Sequence, residues 1–176
     1  MKKLLTLALL VVLSWGASAQ KPDITRMSEI VEVESSEGEV TLSLFSVPVG
    51  DKLGYFLYVG TLGIGNAVIQ FNVDPVNKLF LPLGGTLSES METLQRLQEM
   101  YKEPGSSCEM EACFAPLVPD DSRETVRITS RKVLLSRQLE FTLDRGDHLR
   151  STSVVRSDFN TLMFALKGYQ KLHPDE

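Results

Sequence analysis

LEFTLDRGDHLRSTSVVRSDFNTLMFALKGY, residues 139–169, changes its hydrophobic period part-way along, and that change decides the fold class. Leu139, Phe141 and Leu143 alternate with polar residues, the period-two signature of a strand with one face in a core. Asp144-Arg145-Gly146-Asp147-His148 reads as a hairpin turn, and Ser153–Arg156 resumes the alternation. From Phe159 onward the spacing lengthens. Phe159, Leu162, Met163, Leu166 and Tyr169 fall on one stripe of a helix over about 158–170, with Ser157 or Asp158 as its cap.

Working outward, Thr125–Thr129 and Val133–Leu135 also alternate, so the second half reads as strands followed by a helix. The first half has the same order. Ile30, Val31 and Val33 begin a strand, Ser35-Ser36-Glu37-Gly38 turns it, and Val40, Leu42 and Leu44 line one face of the next. Leu53–Val73 carries no charge over 21 residues, long enough to span a bilayer. Its glycines and asparagines favour two covered strands instead, Tyr55–Thr61 and Ala67–Val73, around a turn at Gly63-Ile64-Gly65-Asn66. Asp74-Pro75 turns the chain into Leu79–Leu83, where Pro82 implies an edge position or a strand end. A helix follows over about 88–102. Thr86 or Ser88 can cap it, Thr86 with Glu89 fitting a capping box; Met91, Leu94, Leu97 and Met100/Tyr101 make its apolar face, and Pro104-Gly105 stops it. Strands grouped apart from helices predict an α+β domain: a mostly antiparallel sheet of about 7–9 strands with both helices on one face. The repeated order suggests a duplicated unit, although the residues of the two halves do not align.

Compartment is read from the N-terminus. Lys2 and Lys3 precede the almost wholly apolar Leu4–Trp15, and Ala17-Ser18-Ala19 is a small-x-small cleavage site. This order predicts a signal peptide over 1–19, cleaved near Ala19-Gln20, and a single domain over 20–176 that is periplasmic or secreted. The apolar run is too short for a transmembrane span, which needs ~20 residues. Cleavage removes two of the 18 Lys and Arg residues and none of the 23 Asp and Glu. The acidic balance speaks against nucleic acid and against anionic lipid head groups, both of which need basic surface. No Asn-x-Ser/Thr sequon occurs, which, with the short Lys-Lys signal, tilts the reading toward a bacterial protein.

In an oxidising compartment the two cysteines, Cys108 and Cys113, predict a local disulfide. Four residues separate them, where redox motifs favour two, and zinc would need further soft ligands. The pair lies on 103–123, read as a long proline-bearing connector. Glu109, Glu111, Asp120 and Asp121 on that connector could ligate calcium, but a solvated acidic loop is the reading favoured. His148 sits in the predicted turn and His173 near the C-terminus, neither in a catalytic pattern. Gly60–Gly65 lacks the lysine and helix of a phosphate loop. Arg145-Gly146-Asp147 at a hairpin tip has the tripeptide of integrin ligands, and is also ordinary turn chemistry.

No catalytic residue, metal site or cofactor is therefore predicted, and no oligomeric state. The composition favours a non-catalytic binding protein of the bacterial envelope or exterior, of inhibitor, immunity or assembly-factor type, acting on an unknown protein or envelope ligand. The alternatives are a carrier of an apolar ligand such as lipid between sheet and helices, and a small secreted hydrolase.

Overall fold

The computed structural model describes residues 26–36, 40–60, 78–113, 123–145 and 148–174. Within them the chain forms β1 (Ser28–Glu34), β2 (Thr41–Val49), β3 (Lys52–Gly60), β4 (Lys78–Gly84), α1 (Leu87–Met100), β5 (Ser107–Cys113), β6 (Arg123–Val133), β7 (Ser136–Arg145), β8 (His148–Val155) and α2 (Arg156–Leu172). The strands lie side by side in sequence order, every neighbour antiparallel. The α+β class, the strand number and the two helices are as the sequence predicts. The order of four strands and a helix occurs twice.

The two four-strand halves meet at a narrow seam. Among the described residues β4 and β5 share one registered pair, Phe80 with Cys113, whereas β6 and β7 pair along eight positions from Val126–Leu143 to Val133–Ser136. Pro82 lies beside this gap, opposite Phe56 of β3. A residue without an N–H is tolerated there because the ladder toward β5 does not continue past it.

Alternation along the strands builds the core. Leu42 and Leu44 of β2, Leu57 and Val59 of β3, and Leu81 and Leu83 of β4 face the same side as Val126, Ile128, Phe141 and Val154 of the second half. Against that side pack Met91, Leu94 and Leu97 of α1 and Phe159, Leu162 and Leu166 of α2. The opposite faces of the halves differ. In the first half it is apolar too, with Phe45, Val47, Phe56, Tyr58 and Phe80 buried together and the Tyr58 and Phe80 rings 5.0 Å apart. In the second half it is polar, carrying the Arg127–Glu109 and Arg131–Glu140 ion pairs. The uncharged run beginning at the exposed Leu53 is thus a strand buried on both faces from Gly54 to Gly60, while 61–73 lies outside the described residues. No helix among the described residues is long and apolar enough to cross a membrane.

The helix ends follow their caps. Thr86 Oγ1 accepts from the Glu89 N–H at 3.2 Å, and Glu89 Oε2 reaches back to the Gly85 N–H at 2.8 Å, one residue before the cap. α1 finishes at Met100 with Tyr101 as C-cap. α2 begins two residues earlier than the spacing indicates. Neither Ser157 nor Asp158 caps it, because Val155 occupies that position and Asp158 lies inside the first turn. The Asp158 carboxylate instead accepts from the Ser36 N–H at 3.3 Å, tying the β1–β2 turn to α2.

Three sequence expectations are corrected. Residues 107–113 of the supposed connector are β5, paired with β6 from Ser107–Thr129 to Cys113–Arg123. Its alternation was hidden because Glu109 and Glu111 occupy the solvent face while only Cys108 and Met110 pack inward. Val133–Leu135 is not a strand: β6 ends at Val133, and Leu134-Leu135 turn the chain into β7. The Cys108–Cys113 disulfide is not formed, and Cys108 carries a free thiol. Both cysteines belong to one strand, and five residues of strand extend roughly 16 Å, far beyond the ~7 Å that a disulfide can bridge.

Cys108 packs beside Met100, its Sγ 3.6 Å from the Met100 Sδ. Burial, and then the Glu109 carboxylate, push its thiol up to about 11. A thiol raised in the folded state favours folding below its unfolded value of about 8.5 and loses that contribution as pH climbs through the folded value. Native Cys108 is therefore expected to react with iodoacetamide at pH 8 about a hundredfold more slowly than in denaturant. A Cys113→Ser background isolates the signal, and equal rates in the two states would contradict the buried thiol.

Candidate functional site

The most exposed apolar residues of the described chain are at the β6–β7 turn. Leu134 is 90% and Leu135 99% exposed, with Val133 at 45%. Val133 pairs with Ser136, so the two leucines are the whole of a two-residue connection. Such turns demand left-handed backbone and ordinarily use glycine or asparagine to supply it. Leu134 adopts φ 54° with neither. A γ-branched apolar residue is unfavourable there on two counts: its backbone well is a poor one for a side chain with Cβ, and its side chain stays in water.

The residues behind the tip are basic. Arg131 and Lys132 directly precede Val133, the last residue of β6, and Arg137 is the second residue of β7. Lys132 and Arg137 face each other across the ladder, a like-charge pairing that costs stability. Arg137 has a structural duty as well, its Nη1 donating to Tyr101 O at 2.8 Å and Lys102 O at 3.2 Å at the end of α1. Arg131 pairs with Glu140 at 2.6 Å. Val155 pairs with Gln138, so Arg156, the first residue of α2, belongs to this end of the sheet too. A cation at a helix N-terminus opposes the helix dipole. Lys102 and its partner Glu99 complete the rim.

Leu134 gives the surface a measurable stability signature. Leu134→Gly is expected to raise unfolding free energy by about 1 kcal/mol, because glycine takes positive φ without penalty. Chemical denaturation checks this, and a destabilised variant would mean that the leucine has a packing role. Phe164 and Leu172 of α2 are also exposed, but single exposed apolar side chains are ordinary on protein surfaces.

The other residues considered from sequence are scattered. His173 ends α2, its ring stacked on Tyr169 at 4.2 Å. His148 opens β8 opposite Arg145, which makes that hairpin as expected, while Gly146 and Asp147 lie outside the described residues. Glu109 and Glu111 share the outer face of β5, Glu109 with Arg127 at 3.1 Å. Asp120 and Asp121 are outside the described residues, as is the glycine run beyond Gly60. Among the described residues no three His, Cys, Asp or Glu side chains gather as metal ligands would. Set against protein-family models, characterised proteins and solved structures, the chain matches none.

The hairpin tip was missed by sequence reading for a definite reason. Val133-Leu134-Leu135 contains no turn residue, so its apolar run reads as strand. The signal that could have found it is the spacing of Arg131, Lys132 and Arg137 on both sides of an apolar triplet.

Proposed function

We propose that this chain is an exported, non-catalytic binding protein of the bacterial envelope or exterior, and that it engages its partner through the β6–β7 hairpin tip. One observation carries the reading: two adjacent leucines, 90% and 99% exposed, at a turn where the backbone favours other residues. Strain of this kind persists where function over-rides local preference. Export rests on the sequence of residues 1–19. A role as apolar-ligand carrier is less well supported, because the space between sheet and helices is filled by Leu57, Leu81, Leu94, Phe141 and Phe159, all buried.

The test places a photoreactive leucine analogue at position 135 of the protein exported by bacterial cells, with position 92 on the exposed side of α1 as control. Adducts at 135 and none at 92 are expected. Equal labelling at the two positions would overturn the assignment of the tip.

A further inference from the structure

We infer that the β6–β7 tip is a membrane-interface anchor, in which Leu134 and Leu135 dip into the acyl boundary of an anionic bilayer while Lys132, Arg137 and Arg156 meet its phosphates. The inference rests on the reading of this tip as the binding element and names the surface it binds.

The order of chemistry along the hairpin matches a bilayer read from inside to outside. Two fully exposed leucines form the extremity, the half-exposed Val133 comes next, and the opposed cations Lys132 and Arg137 follow. A strand rises ~3.3 Å per residue, so these cations stand roughly 3–7 Å behind the leucines. That spacing fits the ~5–10 Å to which interfacial segments bury their apolar side. Arg137 Nη1 is held by Tyr101 O and Lys102 O, and an anion between its remaining N–H groups and the Lys132 ammonium would turn the repulsion of the pair into attraction. Arg156 at the same end extends the basic rim.

A protein groove fits the surface less well. The tip is convex and offers three aliphatic side chains, whereas a stable protein interface covers ~800 Å² on each partner and is anchored by aromatic residues and arginine in preference to leucine. The acidic balance of the whole chain, 18 basic against 23 acidic residues, opposes binding to an anionic surface in general. It acts weakly here because charges beyond ~8 Å are screened at physiological salt. Glu140 is on the polar face paired with Arg131, and Glu99 is paired with Lys102, so these two carboxylates are partly neutralised. The consequence is an orientation-specific contact: only this end of the sheet approaches the membrane.

The experiment measures co-sedimentation of the processed, exported protein with vesicles of phosphatidylcholine alone or mixed with phosphatidylglycerol. Binding to the anionic vesicles is expected to fall about tenfold in phosphatidylcholine alone or at high salt. Leu134→Gly/Leu135→Ser is expected to lose about tenfold, and Lys132→Gln several-fold. The double variant retains its fold if Leu134→Gly is stabilising, and its circular dichroism and unfolding curve confirm that the loss is not unfolding. Failure of the protein to bind anionic vesicles, or binding unchanged in the double variant, overturns the lipid assignment. In that case protein adducts at position 135 would leave the tip as a binding element for a different partner, while no adducts would remove both readings.

Discussion

Replacing Tyr101 with alanine is expected to lower the unfolding free energy by about 3–5 kcal/mol, the largest single-site loss anticipated here. Tyr101 follows the last turn of α1 and is fully buried. Its ring lies 5.6 Å from that of Phe159 in α2, and its hydroxyl donates to Val154 O in β8 at 2.9 Å. One side chain therefore couples the helix of the first half to the strand and helix that close the second. It does so alongside the core the halves share and the Arg137 bonds to Tyr101 O and Lys102 O. Tyr101→Phe separates the two contributions, keeping the ring and removing only the hydrogen bond, at a cost of about 1 kcal/mol. Urea denaturation measures both. Equal losses in the two variants would show that the hydrogen bond, and not the ring, joins the halves.

Gly84→Ala is expected to cost about 1–3 kcal/mol, while Gly85→Ala, one residue along, changes stability by less than about 0.5 kcal/mol. The two glycines hand β4 over to α1. A methyl group on Gly84 would meet Glu89 Cβ at 2.7 Å and the Ser90 backbone nitrogen at 3.3 Å. Neither can move without displacing the first helical turn, where Glu89 also holds the Gly85 N–H. On Gly85 the same methyl meets nothing nearer than 3.7 Å. Thermal unfolding of the pair decides the matter, and equal melting temperatures would mean that α1 can shift outward freely.

Much of this architecture is visible in residue spacing. Leu139, Phe141 and Leu143 alternate because each inward residue of β7 lies under α2 and each outward one faces water, so the period survives in the sequence. The two amphipathic helices are legible for the same reason, and Thr86 with Glu89 marks the start of α1 through a local hydrogen-bond pattern. β5 was not legible. Its inward positions hold a cysteine and a methionine and its outward positions hold glutamates, so its place depends on β6 providing a partner. The cysteine pair misled because proximity in sequence implies proximity in space only when the intervening chain folds back, and here it runs straight. The leucine tip misled in the opposite sense, since apolar residues without a turn former describe a strand until pairing shows where the ladder closes.

Local periodicity and capping, which depend on neighbouring residues alone, determine the α+β class, the two helices and the hairpin around residues 144–148. What residues 139–169 could not determine is the company they keep. The register of β6 against β7 and of β5 against β6 depends on backbone hydrogen bonds between segments distant in sequence. Those bonds separate Cys108 from Cys113, place Lys132 opposite Arg137 and push Leu134 and Leu135 out into solvent. The change of period in that stretch is a property of the chain; the exposed tip beside it exists only once the sheet has formed.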